Sequence, residues 1–419
     1  MTKTTNRWLL IFGIASLVPL GAVAQSALGP ELRLNIQQGS ELEPDLTSGA
    51  DGVFTAVWIH APDPTQGPQD INARRFTKSG LNPRELTLVR ASAPEHAVDL
   101  PAITPDPAGG WNLFYTQDDP LGYRKVLEAR FFRNGSPNGP RLLVSEPPPS
   151  VADLHAAASL PGGGSIFLTE DDLCIGCRKP GHHLFARVLG QAGEALTPYF
   201  LIDLIDAMTD RASFTGAKSL GVDAKGNIIV VWETQPDVVF PKQTAILGQR
   251  FSSAGERSGS PFPINDPGPG VQFAPSVAVN PGGDFIVVWQ SQPDSNTPRS
   301  LRARHFSKTG KPMGQEFVVE ADPGKDAIFP SIASDPRGNY VVVWTSYAFV
   351  ECPSVKGRLY RPDDTPAGPA FSLSSSTHTC DQFPKVAFGP DGTFAAAWIR
   401  LGGGDFTSDI YASIFRVTP

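Results

Sequence analysis

Charge is scarce in this chain. Asp, Glu, Lys and Arg make up 18% of its 419 residues, and 42 acids outnumber 35 bases for a formal net charge of −7. That balance disfavours non-specific binding to nucleic acid or anionic membranes, both of which need a basic surface. Long apolar runs are missing after the first two dozen residues, so no later segment is built to span a membrane. The G-x-S-x-G elbow, HExxH and the P-loop are absent as well, which excludes the enzyme classes that depend on them. Glycine and proline, by contrast, are plentiful at 41 each. Their combined share exceeds the usual about 12% but stays below the roughly 25–30% of low-complexity chains. Both are poor helix residues. With 40% hydrophobic residues, the chain is expected to bury a core that contains little helix.

Residues 1–24 have the anatomy of a signal peptide. Lys3 and Arg7 open it, Trp8 to Gly21 is apolar, and Ala22-Val23-Ala24 precedes Gln25. The apolar stretch is short for a span and is interrupted by Gly13, Pro19 and Gly21. No cysteine at the cleavage site calls for a lipid anchor. The expected mature chain, residues 25–419, is a single domain in the periplasm or outside the cell.

The phrase GGDFIVVW (282–289) recurs as RGNYVVVW (337–344), KGNIIVVW (225–232), DGTFAAAW (391–398) and DGVFTAVW (51–58). Weaker copies are GGWNLFYT (109–116) and GGSIFLTE (163–170). The anchor positions are Trp58, Tyr115, Thr169, Trp232, Trp289, Trp344 and Trp398, and a glycine stands six residues before each. Upstream of that glycine, Asx and proline complete the preferences of a type I turn, as in Asp335-Pro336-Arg337-Gly338. Each turn therefore joins one strand, such as PSVAV (275–279), PSIAS (330–334) or PKVAF (384–388), to a second that is apolar on both faces. A third strand follows with a small residue before arginine in five copies: Arg74, Arg130, Arg187, Arg304 and Arg358. A fourth comes after a further turn, as in EFVVE (316–320). The last repeat stops after its third strand, IYASIFRV (410–417), whereas the chain after Gln25 begins with an orphan fourth strand, ELRLN (31–35). A repeat shared between the two ends closes a ring. The expected fold is all-β, a seven-bladed β-propeller of four-stranded antiparallel blades.

The G-x-[FY]-x-V-V-W phrase followed by the small-residue–arginine strand resembles the repeats of bacterial secreted β-propeller proteins. The resemblance covers essentially the whole chain after residue 24. It implies the fold and no activity, since propellers host lectins, hydrolases, lyases and scaffolds.

The loops between second and third strands are long and varied, so their face is where a site is expected. Five acids lie there: Asp63, Asp119, Asp172, Asp237 and Asp294. They read either as a carboxylate rim for a cation or hydroxylated ligand or as turn residues, with the turn role favoured. The tryptophan anchors and repeated arginines read as packing and hydrogen bonding between blades, because they make the repeat and a site should break it. His60 and His378 read as exposed loop residues. Cys352 and Cys380 fall on one face and are expected to form a disulfide. Cys174 and Cys177 suit a local disulfide, with His182 and His183 beside them as a weaker metal alternative. No cofactor is called for beyond a bound cation at such acids. The leading expectation is a monomeric, non-catalytic binder of a glycan, peptide or protein. The alternatives are a carbohydrate-active hydrolase or lyase using acids on the same face, and an envelope scaffold. Carboxylates with perturbed pKa at the mouth of the central channel are the mark that favours the enzyme.

Overall fold

The structure is a computed structural model that describes residues 25–63, 68–91, 98–118, 121, 123–145, 152–171, 183–204, 219–234, 244–374, 379–402 and 407–417. Among these residues every regular element is a strand. They form seven separate antiparallel sheets in which the strands follow chain order from the innermost outwards. The innermost strands are Ser40–Ser48, Val98–Pro105, Ala152–Ser159, Ser219–Val222, Val271–Val279, Asp326–Ser334 and Cys380–Phe388, in blades 1 to 7. Each packs against the innermost strand of the next blade, and the seventh packs against the first. The fold is the seven-bladed β-propeller expected from the repeats.

Ring closure is as the sequence implied. Strand Ser408–Val417 of blade 7 takes its fourth partner from the N-terminus, pairing Leu32 with Ala412 and Arg33 with Tyr411. A second short strand, Gln25–Ala27, pairs further along the same edge. Leu34 N–H donates to Ile410 O at 2.7 Å. Arg400 pairs with both Asp381 (2.7 Å) and Glu31 (3.1 Å), tying the N-terminal segment across the blade. The apolar layer between blades 7 and 1 joins Leu34 to Leu46, Phe54, Trp58, Ile410 and Ile414, so removing the segment would open a core.

The repeat residues do what their positions suggested. Gly338 has φ 87° and its N–H closes the turn on Asp335 O at 3.0 Å. The six equivalent glycines also have positive φ, which only glycine adopts cheaply. The five tryptophan anchors are buried between blades. Four of the five repeated arginines reach the main chain of the preceding blade: Arg74 donates to Leu34 O (2.8 Å), Arg187 to Val144 O (3.0 Å), Arg304 to Ile264 O (3.4 Å) and Arg358 to Val319 O (2.5 Å), whereas Arg130 donates to Gln191 O of the following blade (3.0 Å). Charged donors to carbonyls across a blade boundary fix the angle at which neighbouring sheets meet. Cys352 and Cys380 form the expected disulfide, with Cα atoms 4.5 Å apart. It joins the second-to-third loop of blade 6 to the start of blade 7.

Candidate functional site at the channel mouth

One regular feature of the innermost strands is a proline that stands fourteen residues before the anchor: Pro44, Pro101, Pro275, Pro330 and Pro384. These prolines do not start the strands, as PSVAV and its relatives suggested. The strands begin about four residues earlier and carry a bulge at the proline, with two residues skipped in the register. Proline has no N–H to give the ladder, so a bulge is where a strand tolerates it. The residue before each proline has positive φ: Glu43 (49°), Leu100 (50°), Ala274 (51°), Phe329 (53°) and Phe383 (56°). In blade 3 the same position is taken by Leu154-His155, with a smaller irregularity.

Left-handed backbone costs about 1–3 kcal/mol at a non-glycine residue unless the surroundings hold it. Here side chains of the preceding blade hold the main-chain N–H groups. Leu154 N–H donates to Thr116 Oγ1 (3.1 Å), Ala274 N–H to Glu233 Oε2 (3.0 Å) and Phe383 N–H to Thr345 Oγ1 (3.1 Å). Each acceptor sits one residue after its anchor. In blade 1 that position is Ile59, which has no acceptor, and Glu43 Oε2 takes the Leu100 N–H instead at 2.9 Å. The bulges lie near the start of the innermost strand. They therefore ring the channel mouth on the face of the second-to-third loops.

The acids gather around blades 1 to 3 of this ring. Glu43 is solvent-accessible yet surrounded by protein. Loss of water around its carboxyl, followed by the charge and hydrogen bond of Asp99, pushes its pKa up to about 7, against the pull of the Leu100 N–H and Lys385. The two carboxyls share a hydrogen bond, which needs one proton between them. Asp99 is itself paired to Arg124 at 2.9 Å, and the same guanidinium holds Asp118 at 2.9 Å and Asp153 of blade 3 at its other end. Desolvation of Arg124 is outweighed by these carboxylates, so its pKa lies above the usual value. His155 Nε2 is 3.1 Å from Glu170 Oε2.

Deeper in the channel, burial raises the pKa of Asp45, opposed by Lys385 and the Ile103 N–H that Asp45 accepts at 2.9 Å. Asp45 and Lys385 occupy one repeat position, which is small in the other blades: Ala102, Ala156, Ser219, Ser276 and Ser331. The repeat is broken here in the two adjoining blades. Beneath the mouth, His60 and Glu41 form a buried pair at 2.7 Å. Desolvation raises Glu41, and the hydrogen bond to Glu41 raises His60. His60 is therefore a strand residue, 2% exposed, and not the exposed loop histidine expected.

Two of the five acids read from the loops, Asp63 and Asp294, lie among the described residues. Asp294 is exposed and spends its carboxylate on its own turn, accepting from Asn296 N–H (2.8 Å) and Thr297 Oγ1 (2.9 Å). Those bonds lower its pKa. Asp63 is exposed at the end of the second strand of blade 1. Asp119, Asp172, Asp237, Cys174, Cys177, His182 and His378 lie outside the described residues, and His183 begins the third strand of blade 3. Glu43, Asp99 and Asp153 lie on the innermost strands, not in the loops after the anchor where the site was expected. The signal that finds Glu43 and Asp99 is the proline fourteen residues before the anchor, whereas blade 3 has His155 there and leaves Asp153 unmarked.

No protein-family model matches the chain, and no curated protein does. Solved structures match its architecture. A protein of unknown function from Dyadobacter fermentans covers 95% of this chain and 100% of its own, at 12% identity and a TM-score of 0.53. The β-propeller domain of the Trilobed protease from Pyrococcus furiosus covers 91% and 96%, at 7% identity and a TM-score of 0.52. The alpha-L-arabinofuranosidase of Fusarium graminearum covers 93% and 98%, at 10% identity and a TM-score of 0.48. At such identities the likeness is one of fold.

The expectation of a non-catalytic binder is corrected at this point. Its own criterion for an enzyme, carboxyls with perturbed pKa at the channel mouth, is met by Glu43 and Asp45. Several of the solved structures that it resembles are named as glycoside hydrolases, among them arabinanases and a family-43 enzyme, at 10–12% identity and TM-scores of 0.34 to 0.48, a likeness that carries no activity to this chain.

Proposed function

We propose that the chain is a carbohydrate-active hydrolase whose reaction centre is the channel mouth between blades 1 and 3. The observation that carries this reading is the carboxyl cluster at the mouth, where Glu43 is open to solvent beside Asp99, Asp99 and Asp153 share the Arg124 guanidinium, and the pKa of Glu43 is pushed up to about 7. Glycosidic oxygen is a poor leaving group until protonated, and a carboxyl of raised pKa supplies that proton. Glu43 is the general acid. Asp99 adds to the rise that loss of water begins but stands in contact with Glu43, too close to act across a sugar ring, since the two carboxyls of glycosidases are separated by roughly 5–9.5 Å. The second carboxylate of the proposal is Asp153, one blade on and held at the other end of Arg124. Arg124 fixes the acid pair and the base in one network and is a positioning residue. The proposal gives Asp63, Asp119, Asp172, Asp237 and Asp294 no part in the reaction.

The names of the matched arabinofuranosidase and arabinanases direct the choice of first substrates. Export fits the same reading. The Cys352–Cys380 disulfide suits an oxidising compartment, and polysaccharides are met outside the cytoplasm. We keep with it the signal peptide at 1–24, a single domain from 25 to 419 and the likeness to bacterial secreted propellers.

The test is release of reducing sugar from a panel of plant and microbial polysaccharides that includes arabinan. Glu43→Gln should lower kcat/KM at least 100-fold on whichever polymer is cleaved. Full activity in Glu43→Gln, or no cleavage of any polymer, would sink the reading.

A further inference from the structure

At the bulge of the innermost strands, blades 6 and 7 carry phenylalanine. Phe329 and Phe383 stand before proline in the left-handed region, where a bulky residue is a rare occupant. Their ring centroids are 4.3 Å apart at an interplanar angle of 39°. Phe383 keeps 36% of its surface exposed, and Thr345 Oγ1 fixes the backbone from which it projects. Leu100 and Ala274 offer no flat face at the same position. Round the ring from blade 6, the bulge residues run Phe329, Phe383, Glu43. The aromatic pair therefore adjoins the carboxyl that holds the proton. Asp99 and Lys385 are the charges that act on that carboxyl, and Lys385 also faces Asp45. The next cation along, Arg124, is shared by three carboxylates.

We infer that Phe329 and Phe383 form the stacking platform of a subsite for a neutral saccharide, and that the mouth disfavours sugars bearing carboxylates. The inference rests on the catalytic reading of Glu43 and deepens it by naming the substrate class. An aromatic ring gives the apolar C–H face of a sugar a partner of matching shape without competing for its hydroxyls. The strained backbone beneath the two rings holds them at the opening, where packing alone would draw them inward. Carboxylates on the sugar would meet Asp45, Asp99 and Asp153, while Arg124 is shared by three carboxylates and Lys385 already faces Glu43 and Asp45, and like charges at an interface reject a partner. A chain threaded past this platform would bring its glycosidic oxygen to Glu43.

The test is binding, read separately from turnover. The full chain, with and without Glu43→Gln, is run through gels containing neutral arabinan, galactan or xylan, or anionic polygalacturonate. At least one neutral polymer is expected to retard it, and polygalacturonate least of the four. Phe383→Ala should weaken that retardation about tenfold, by the loss of one aromatic contact, and Phe383→Tyr should restore it. Phe329→Leu, which keeps an apolar side chain in the bulge, carries the same expectation should Phe383→Ala fail to fold. Unchanged binding in the alanine or leucine variant, tightest binding to polygalacturonate, or no neutral polymer bound overturns the inference. Phe383-dependent binding in a chain that cleaves nothing would leave the platform standing and remove the catalytic role of Glu43. Cleavage abolished by Glu43→Gln yet indifferent to Phe383 would do the reverse.

Discussion

Glu43 and Glu128 both hold a proton to about pH 7, and their surroundings give the two protons different consequences. Glu128 lies on the third strand of blade 2, 1% exposed, with Oε2 lacking a hydrogen-bond partner. Burial is the chief cause of its raised pKa, and Arg130 and Ser165 offset it only in part. No substrate reaches a group so enclosed. Between pH 4.5 and 7 the unfolded chain has released this proton while the folded chain keeps it. Stability therefore falls as pH rises through that window, and the whole penalty is present above pH 7. Glu128→Gln should remove it, leaving folding at pH 8 more stable by about 1–3 kcal/mol with little change at pH 4. Urea unfolding at the two pH values checks this; an equal effect at both would show that ionisation is not the cause. Glu43→Gln should shift stability in the same direction while removing activity, the pattern expected of a strained group kept for function.

At the scale of elements, the second strands and the turns before them were legible because seven copies repeat the same demands. A glycine at positive φ and an anchor buried between blades allow few substitutes, so the period shows through degenerate copies such as GGSIFLTE. The bulge was visible only as proline. Pro275, Pro330 and Pro384 mark the start of a strand as readily as an interruption in one, and local preference does not separate the two. What decides is the preceding blade, whose Thr345 or Glu233 holds the N–H that the bulge leaves unpaired. That contact is made across a sheet-to-sheet boundary and leaves no local pattern. The same holds for Glu43, which meets Asp99, and Asp153, which meets Arg124, only because adjoining blades bring them together. The closing strand was legible from the two incomplete ends. Deleting residues 25–36 should cost far more than trimming a loose tail, because Leu34 and the Arg400–Glu31 pair go with it. Thermal unfolding unchanged by the deletion would contradict closure through that strand.

For the molecule as a whole, sevenfold repetition supplies a rigid ring, and function is to be sought where the repetition fails. Anchors and arginines recur and hold blades together. Glu43, Lys385 and the Phe329–Phe383 pair do not recur, and they stand in neighbouring blades at one end of the channel. The Cys352–Cys380 disulfide pins the loop of blade 6 beside them. The central claim is that the proton on Glu43 does the chemistry there. It is tested most directly by the pH dependence of kcat/KM on a cleaved polysaccharide. A general acid must be protonated to act, so the rate should fall above about pH 7, following the Glu43 carboxyl, and Glu43→Gln should flatten that limb along with the rate. A profile that stays level through pH 7, or one that keeps its falling limb in Glu43→Gln, would contradict the account.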